Sequence, residues 1–369
     1  MGAGGAGEDE YRLYAWGYGS AFKLGTGTGD NKSSPVQIGA LKDWSSVSGG
    51  YRHTIATKTD GTLWAWGYQP QGQLGIGSTT PRSSPVQVGS LTTWSKIKCG
   101  RDHTIAVKSD GTLWAWGANL IYPGGNYGGQ LGDGTTTNRS SPVQVGAGTT
   151  WSSIGCAQQS SFAIKTDGTL WSWGRGLNGI LGLGNTTNYS SPMQVGSLTN
   201  WSSVSGGRYH VAAIKTDGTL WAWGSNGDGQ LGLGNTTSRS SPVQVGSLTT
   251  WALVSCGASH TVAIKTDGTL WAWGSGGVGR LGLGNTTNYS SPKQVGSLTN
   301  WLSVNAGLAH NISIKTDGTL WSWGYNSQGQ LGLGDTTGRS SPVQVGALAN
   351  WNSVHATSNE KSSFAITKN

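Results

Sequence analysis

Apolar positions along this chain come in short, closely spaced clusters that break at the same residues again and again. The stretch Ile264-Lys265-Thr266-Asp267-Gly268-Thr269-Leu270-Trp271-Ala272-Trp273-Gly274 shows the pattern. His260, Val262 and Ile264 precede the break, and Leu270, Trp271 and Trp273 follow it. β-branched and aromatic residues around an Asp-Gly pair predict a β-hairpin, with a two-residue turn and positive φ at both central residues. The arms carry too few polar positions for a sheet wetted on one face. Both faces are therefore expected to be buried.

The same pattern recurs around the ring of Trp-Gly pairs that begin at Trp16, Trp66, Trp116, Trp173, Trp223, Trp273 and Trp323, every 50 residues except for one interval of 57. A full unit runs from Trp201 through His210–Lys215 and Leu220–Gly224 to Ser240-Ser241-Pro242-Val243-Gln244-Val245-Gly246, which predicts four short strands. Proline at the start of the fourth suits an outer edge strand, where a missing N–H costs little. Tyr11–Gly17 supplies only the second half of a unit, and Trp351–Thr367 only the first. Six whole units and two halves predict an all-β, closed seven-bladed β-propeller of four-stranded blades, the ring shut by pairing the two terminal half-blades. One domain is expected over residues 11–369, preceded by a flexible segment, residues 1–10.

Composition changes this picture little. Of 369 residues 63 are glycine and 11% are charged, but the glycines fall at repeated positions and mark turns rather than disorder. Met1–Gly7 has neither a basic nor an apolar region of the kind an export signal needs, and no window is long and apolar enough to span a bilayer. The expected location is the cytoplasm or a particle assembled there, with no membrane partner. Cys99, Cys156 and Cys256 share one slot, five residues after a tryptophan, where other units carry glycine or alanine. They read as small buried fillers rather than a disulfide or metal framework. The formal charge of +8 is spread through the repeats, so a protein is favoured over a nucleic acid as partner.

Gly-x-x-His-Thr/Ser-x-Ala-Ile, Asp-Gly-x-Leu-Trp-x-Trp-Gly, Gly-Gln-Leu-Gly-x-Gly and the Ser-Pro-x-x-Val run together resemble the repeat of the regulator of chromosome condensation family over residues 11–367. The resemblance implies a seven-bladed propeller. It implies no single activity, because the family includes exchange factors for a small GTPase that bind nucleosomes, plant UV-B sensors, bacterial β-lactamase inhibitors, and bacterial and viral members of no clear role. The near-identical units are closer in style to the bacterial and bacteriophage members. UV-B sensing is disfavoured: the photoreceptor's Gly-Trp-Arg-His-Thr is met here by Gly50-Tyr51-Arg52-His53-Thr54, and all 20 tryptophans belong to the repeat.

Alternating strands place the Gly-x-x-His connections and the segments after Trp-Gly on one face. That face differs from unit to unit, and its variable positions are rich in tyrosine and arginine, the residue types that dominate interface energetics. The candidate partner-binding residues are Tyr51, Arg52, Arg101, Arg175, Arg208, Tyr209 and Arg280, joined by Leu120, Ile121 and Tyr122 at the tip of the seven-residue insertion. Drift in unselected loops would also produce variation; the residue types favour recognition.

Five histidines, His53, His103, His210, His260 and His310, repeat nine residues after a tryptophan, with Ser160 in the fourth copy and Glu360 near the slot in the last. Equivalent positions on separate blades cannot converge on one ion, so each is expected to bond backbone. His355 stands outside the series. Lys32, Arg82, Arg139, Tyr189, Arg239, Tyr289 and Arg339 form a second ring before the Ser-Ser-Pro run, read as a solvated rim. No nucleophile–base pair, paired carboxylates, phosphate loop or calcium loop stands out, so no catalytic residues, small-molecule substrate, cofactor or metal is expected. The reading is a non-catalytic protein-binding scaffold, with a structural place in a virion or other assembly. The alternatives are a GTPase-exchange or chromatin-binding regulator, and a glycan-binding adhesin.

Overall fold

A single unit shows how the repeat becomes a blade. Trp201–Gly206, His210–Lys215, Leu220–Gly224 and Arg239–Gln244 pair in that order into an antiparallel sheet, innermost strand first. The second strand is buried throughout and the third at all but Trp221, as a sheet covered on both faces by its neighbours requires. Pro242 lies inside the fourth strand rather than at its start, where the register shifts between Ala222 and Gly224 and the ladder needs no N–H. The computed structural model describes residues 9–120, 128–358 and 360–369, so Ile121 and Tyr122 lie outside the described residues.

Among the described residues the strands form seven such four-stranded sheets. Six are built from consecutive strands. The seventh joins Trp351–Ala356 and Ser362–Lys368 to Tyr11–Gly17 and Lys32–Gln37. Its central pair runs unbroken from Tyr11 opposite Lys368 to Gly17 opposite Ser362, and Glu10 and Asn369 exchange two further backbone hydrogen bonds. The ring closes as the half-units predict.

The hairpin differs from its expected form. Only the glycine has positive φ, +75° at Gly218. Lys215 N–H donates to the Thr219 carbonyl at 3.0 Å and Gly218 N–H to the Lys215 carbonyl at 2.9 Å, a three-residue loop whose last residue is a left-handed glycine. The cause is the aspartate side chain. Asp217 Oδ1 accepts from Thr219 N–H at 2.9 Å and Thr219 Oγ1–H at 2.6 Å, and Thr219 Oγ1 in turn accepts from Trp221 Nε1–H at 2.9 Å. Asp-Gly-Thr-Leu-Trp is thus one hydrogen-bonded unit.

Tryptophan fills the spaces between and within blades. Trp201 packs edge-on against Trp221 and Trp223 with centroids 6.0 and 6.2 Å away, the geometry that the ring quadrupole favours. Lys215 Nζ sits 3.7 Å from the Trp221 centroid. Trp273 Nε1 reaches back to the preceding blade and donates to the Gln230 carbonyl at 3.0 Å. That approach requires Gly232: its φ is +74°, and a Cβ there would fall 2.7 Å from Trp273 Nε1.

The five histidines lie in the core, and a side-chain partner stands where a backbone one was expected. Each Nε2 meets a side chain of the next blade: His53 to Thr104 at 3.1 Å, His103 to Ser161 at 2.9 Å, His210 to Thr261 at 3.0 Å, His260 to Asn311 at 2.9 Å and His310 to Ser363 at 2.9 Å. The Thr and Ser hydroxyls spend their own protons on a backbone carbonyl, as Thr261 does on Gln230 at 2.8 Å, so each must accept from a neutral Nε2–H. Gly100 and its equivalents exist to seat the ring, since a Cβ on Gly100 would lie 2.0 Å from His103 Cε1. Glu360 does not occupy the histidine slot. The last loop is two residues longer than its counterparts, which puts Ser362 there, with its hydroxyl on the Tyr18 carbonyl at 2.9 Å.

Candidate functional site

The Gly-x-x-His loops meet around the propeller axis and are tied to one another through backbone. Tyr51 N–H donates to the Arg101 carbonyl at 2.8 Å, Arg101 N–H to Gln158 at 2.9 Å, Arg208 N–H to Gly257 at 3.3 Å and Leu308 N–H to Thr357 at 2.9 Å. This collar holds the side chains of a mouth of about 410 Å³ whose lining includes Tyr18, Tyr51, Arg101, Arg208, Leu308 and Lys361.

Three of the sequence-derived candidates, Tyr51, Arg101 and Arg208, converge here. Arg52 stands beside them, its guanidinium 5.0 Å from the Tyr51 centroid and 5.7 Å from that of Tyr68, while Arg101 lies 4.8 Å from the Tyr51 ring. Tyr209 packs under Arg208 at 5.2 Å. Aromatic rings therefore flank the guanidinium groups. Arg175 turns aside and donates to Gln159 Oε1 at 2.7 Å. Arg280 folds onto its own loop, with Nε donating to the Gly277 carbonyl at 2.8 Å, and is not part of the mouth. Leu120 is half exposed at the base of the insertion and bridged to Gly128, and it is not among the residues that line the mouth. The outer rim residues mostly satisfy themselves locally: Arg139 pairs with Asp133 at 2.8 Å and Arg339 with Asp335 at 2.6 Å.

Sequence reasoning missed several members of the mouth. Gln158 and Leu308 occupy the same slot as Tyr51, Arg101 and Arg208, one residue after the loop's first glycine or alanine, so slot position would have found them where residue type did not. It also missed Lys23, which is almost wholly buried and meets Glu360 at 3.2 Å, with its Nζ 4.5 Å from the Tyr18 centroid. Burial lowers the Lys23 pKa to about 8 against the pull of Glu360. Asp102 faces Arg101 at 3.3 Å, and burial pushes its carboxyl above the usual range. Among the described lining residues Arg101, Arg208 and Lys361 face the carboxylate of Glu360, and the mouth is cationic.

Two comparisons bear on identity. Residues 119–369 match the family model described as the RCC1-like domain, and residues 12–57 and 60–107 match the regulator of chromosome condensation (RCC1) repeat. The chain belongs to the RCC1-like family. Among solved structures, this RCC1-like propeller is similar to Prp20p of Saccharomyces cerevisiae, with a TM-score of 0.84, 20% identity, and coverage of 97% of this chain and 91% of that one. It is likewise similar to human WBSCR16, with a TM-score of 0.83, 21% identity and coverage of 97% and 99%. No curated sequence matches it significantly. At these identities the likeness is one of fold.

The cysteines of the RCC1-like propeller are free and buried, as their slot predicts. Burial pushes the thiols of Cys99 and Cys256 up to about 12 and that of Cys156 well above its ordinary range. Since only the thiolate reacts, none of the three should be titrated by a thiol reagent near pH 8 until the fold is opened. Counting thiols with Ellman's reagent with and without denaturant checks this.

Proposed function

We propose that this RCC1-like propeller acts by binding a protein, with the cationic, tyrosine-lined mouth as its docking site for an acidic surface. The observation that carries the reading is the convergence of Tyr51, Arg101 and Arg208 on one rigid collar. Backbone ties and aromatic contacts fix the side chains before a partner arrives, which lowers the ordering cost of association. Of the three readings weighed from sequence, an assembly scaffold, a GTPase or chromatin regulator and a glycan-binding adhesin, the regulator has the best support. The similar yeast structure is described by its binding to Gsp1p and histones, and a second yeast structure, with 19% identity, shows Kap60 bound to RCC1. Neither of these solved structures adds support to the virion role.

The test is a binding assay with core histones and with a small GTPase, including its nucleotide-exchange rate, using the wild-type chain and Arg101→Ala/Arg208→Ala. The double variant should lose at least about thirtyfold in affinity, the scale of a central hot spot, while its melting temperature stays put. Unchanged affinity of a bound partner would remove the mouth from the interface. Failure of both probes to bind would withdraw the regulator reading.

A further inference from the structure

Beneath the mouth, the ends of the seven inner strands surround a second cavity of about 130 Å³. Its wall follows a rule. In most inner strands the fifth residue accepts a hydrogen bond from a backbone N–H of the next blade, Ser48 from Cys99 at 3.0 Å, Ser205 from Cys256 at 3.1 Å, Ser255 from Ala306 at 2.9 Å and Asn305 from Ala356 at 2.9 Å, while Gly155 has no side chain to do so. His355, which had no partner in the sequence reading, continues the rule across the closing seam, with Nε2 accepting from Gly49 N–H at 2.9 Å.

Lys98 breaks the rule, because an ammonium has nothing to accept with. It occupies the same slot one blade on from Ser48, lines the cavity, and has no carboxylate or hydrogen-bond partner among the described residues. Burial lowers its pKa, opposed only by the buried thiols of Cys156 and Cys99 and by no carboxylate. The residues in the same slot on the two flanking inner strands, His355 and Ser48, each keep a donor. Because Nε2 of His355 is an acceptor, that ring carries its proton on Nδ1; because Ser48 Oγ already accepts, its hydroxyl proton remains to be given. Neither proton finds an acceptor among the described residues, and no carboxylate lines the cavity. A cation and two neutral donors on three successive blades, with no carboxylate in the lining of the cavity they share, are complementary to a small anion.

We propose that this cavity binds a small free oxyanion of about phosphate size, held by Lys98 Nζ together with the Ser48 hydroxyl and His355 Nδ1–H. The cavity is too small for a peptide segment, and the site is independent of what docks at the mouth. Such a ligand joins the first two complete blades to the blade that closes the ring.

Isothermal titration with inorganic phosphate at fixed ionic strength tests it, with chloride as the balancing salt. Wild type should show one saturable site. Lys98→Ser, which installs the residue found at this slot in other blades, should weaken it at least about tenfold, the worth of one charge-assisted bond. Lys96→Gln removes an exposed cation from the same strand and should change nothing. Melting temperatures taken with and without phosphate give a second readout, with a stabilisation of wild type that Lys98→Ser lacks. The proposal falls if wild type shows no saturable site, if Lys98→Ser binds equally well, or if Lys96→Gln loses as much as Lys98→Ser.

Discussion

Acidification from pH 7 should unfold this propeller near pH 5, well before carboxylates titrate. All six histidines sit in the folded chain as neutral rings: burial lowers His53, His103, His260, His310 and His355 to about 3 and His210 to about 4. An unfolded histidine titrates near 6.5. Between these values the unfolded chain binds protons that the folded chain refuses, so stability is intact above about pH 6.5 and falls as pH drops. At pH 5 each ring costs about 2 kcal/mol, and six together cost about 12 kcal/mol, comparable with the whole stability of an ordinary domain. The geometry says why the rings resist. His210 Nε2–H is already committed to Thr261, and a second proton on Nδ1 would enter a closed space beside Gly207. Charging His355 would turn the acceptor of Gly49 N–H into a donor. Urea midpoints followed by near-UV circular dichroism from pH 8 to pH 4.5 give the proton uptake directly. An uptake of four to six is expected near pH 5, and fewer than two would refute the argument.

Glu360→Gln should destabilise the fold by about 3–5 kcal/mol, the cost of leaving one member of a buried ion pair uncompensated. Lys23 occupies the slot held in other blades by Gln73, Gln130, Gln230 and Gln330. There a glutamine Oε1 steadies its own loop, as Gln230 does by accepting from Asp228 N–H at 2.9 Å. Lysine cannot do this, and its ammonium turns to Glu360 instead. Lys23→Gln added to Glu360→Gln restores the repeat's own residue and should recover most of the loss; no recovery would show that Glu360 matters for another reason. The wild-type pair also has a pH signature. Lys23 is depressed to about 8 from 10.5, so the unfolded chain binds the extra proton between these values and Lys23's contribution to stability rises with pH across that window.

The ring, the blade count and the closing half-blades are legible in the sequence because they depend on period and pairing, which a repeat displays openly. What escapes is whatever depends on a side chain meeting another blade. The partner of His210 is Thr261, 51 residues on, and only the register of two sheets brings them together. The turn type escapes for a local reason, since it is set by Asp217 bonding Thr219 rather than by the Asp-Gly pair alone. Of the candidate site, residue type picks out Tyr51, Arg101 and Arg208 but also Arg280, which differs from them only in the slot it fills. Lys98 and His355 escape because each looks like an exception to the repeat until the inner strands are placed side by side.

Blades this alike pose a problem of address. Any second strand could pair with almost any third strand, and the N-terminal strands must find one sheet among seven near-copies. The departures from the repeat gather where that choice is made: the lengthened loop carrying Glu360, the lysine that answers it at residue 23, and His355 reaching Gly49. They work as a key cut into otherwise interchangeable parts, and make the correct closure distinguishable from its near-identical rivals.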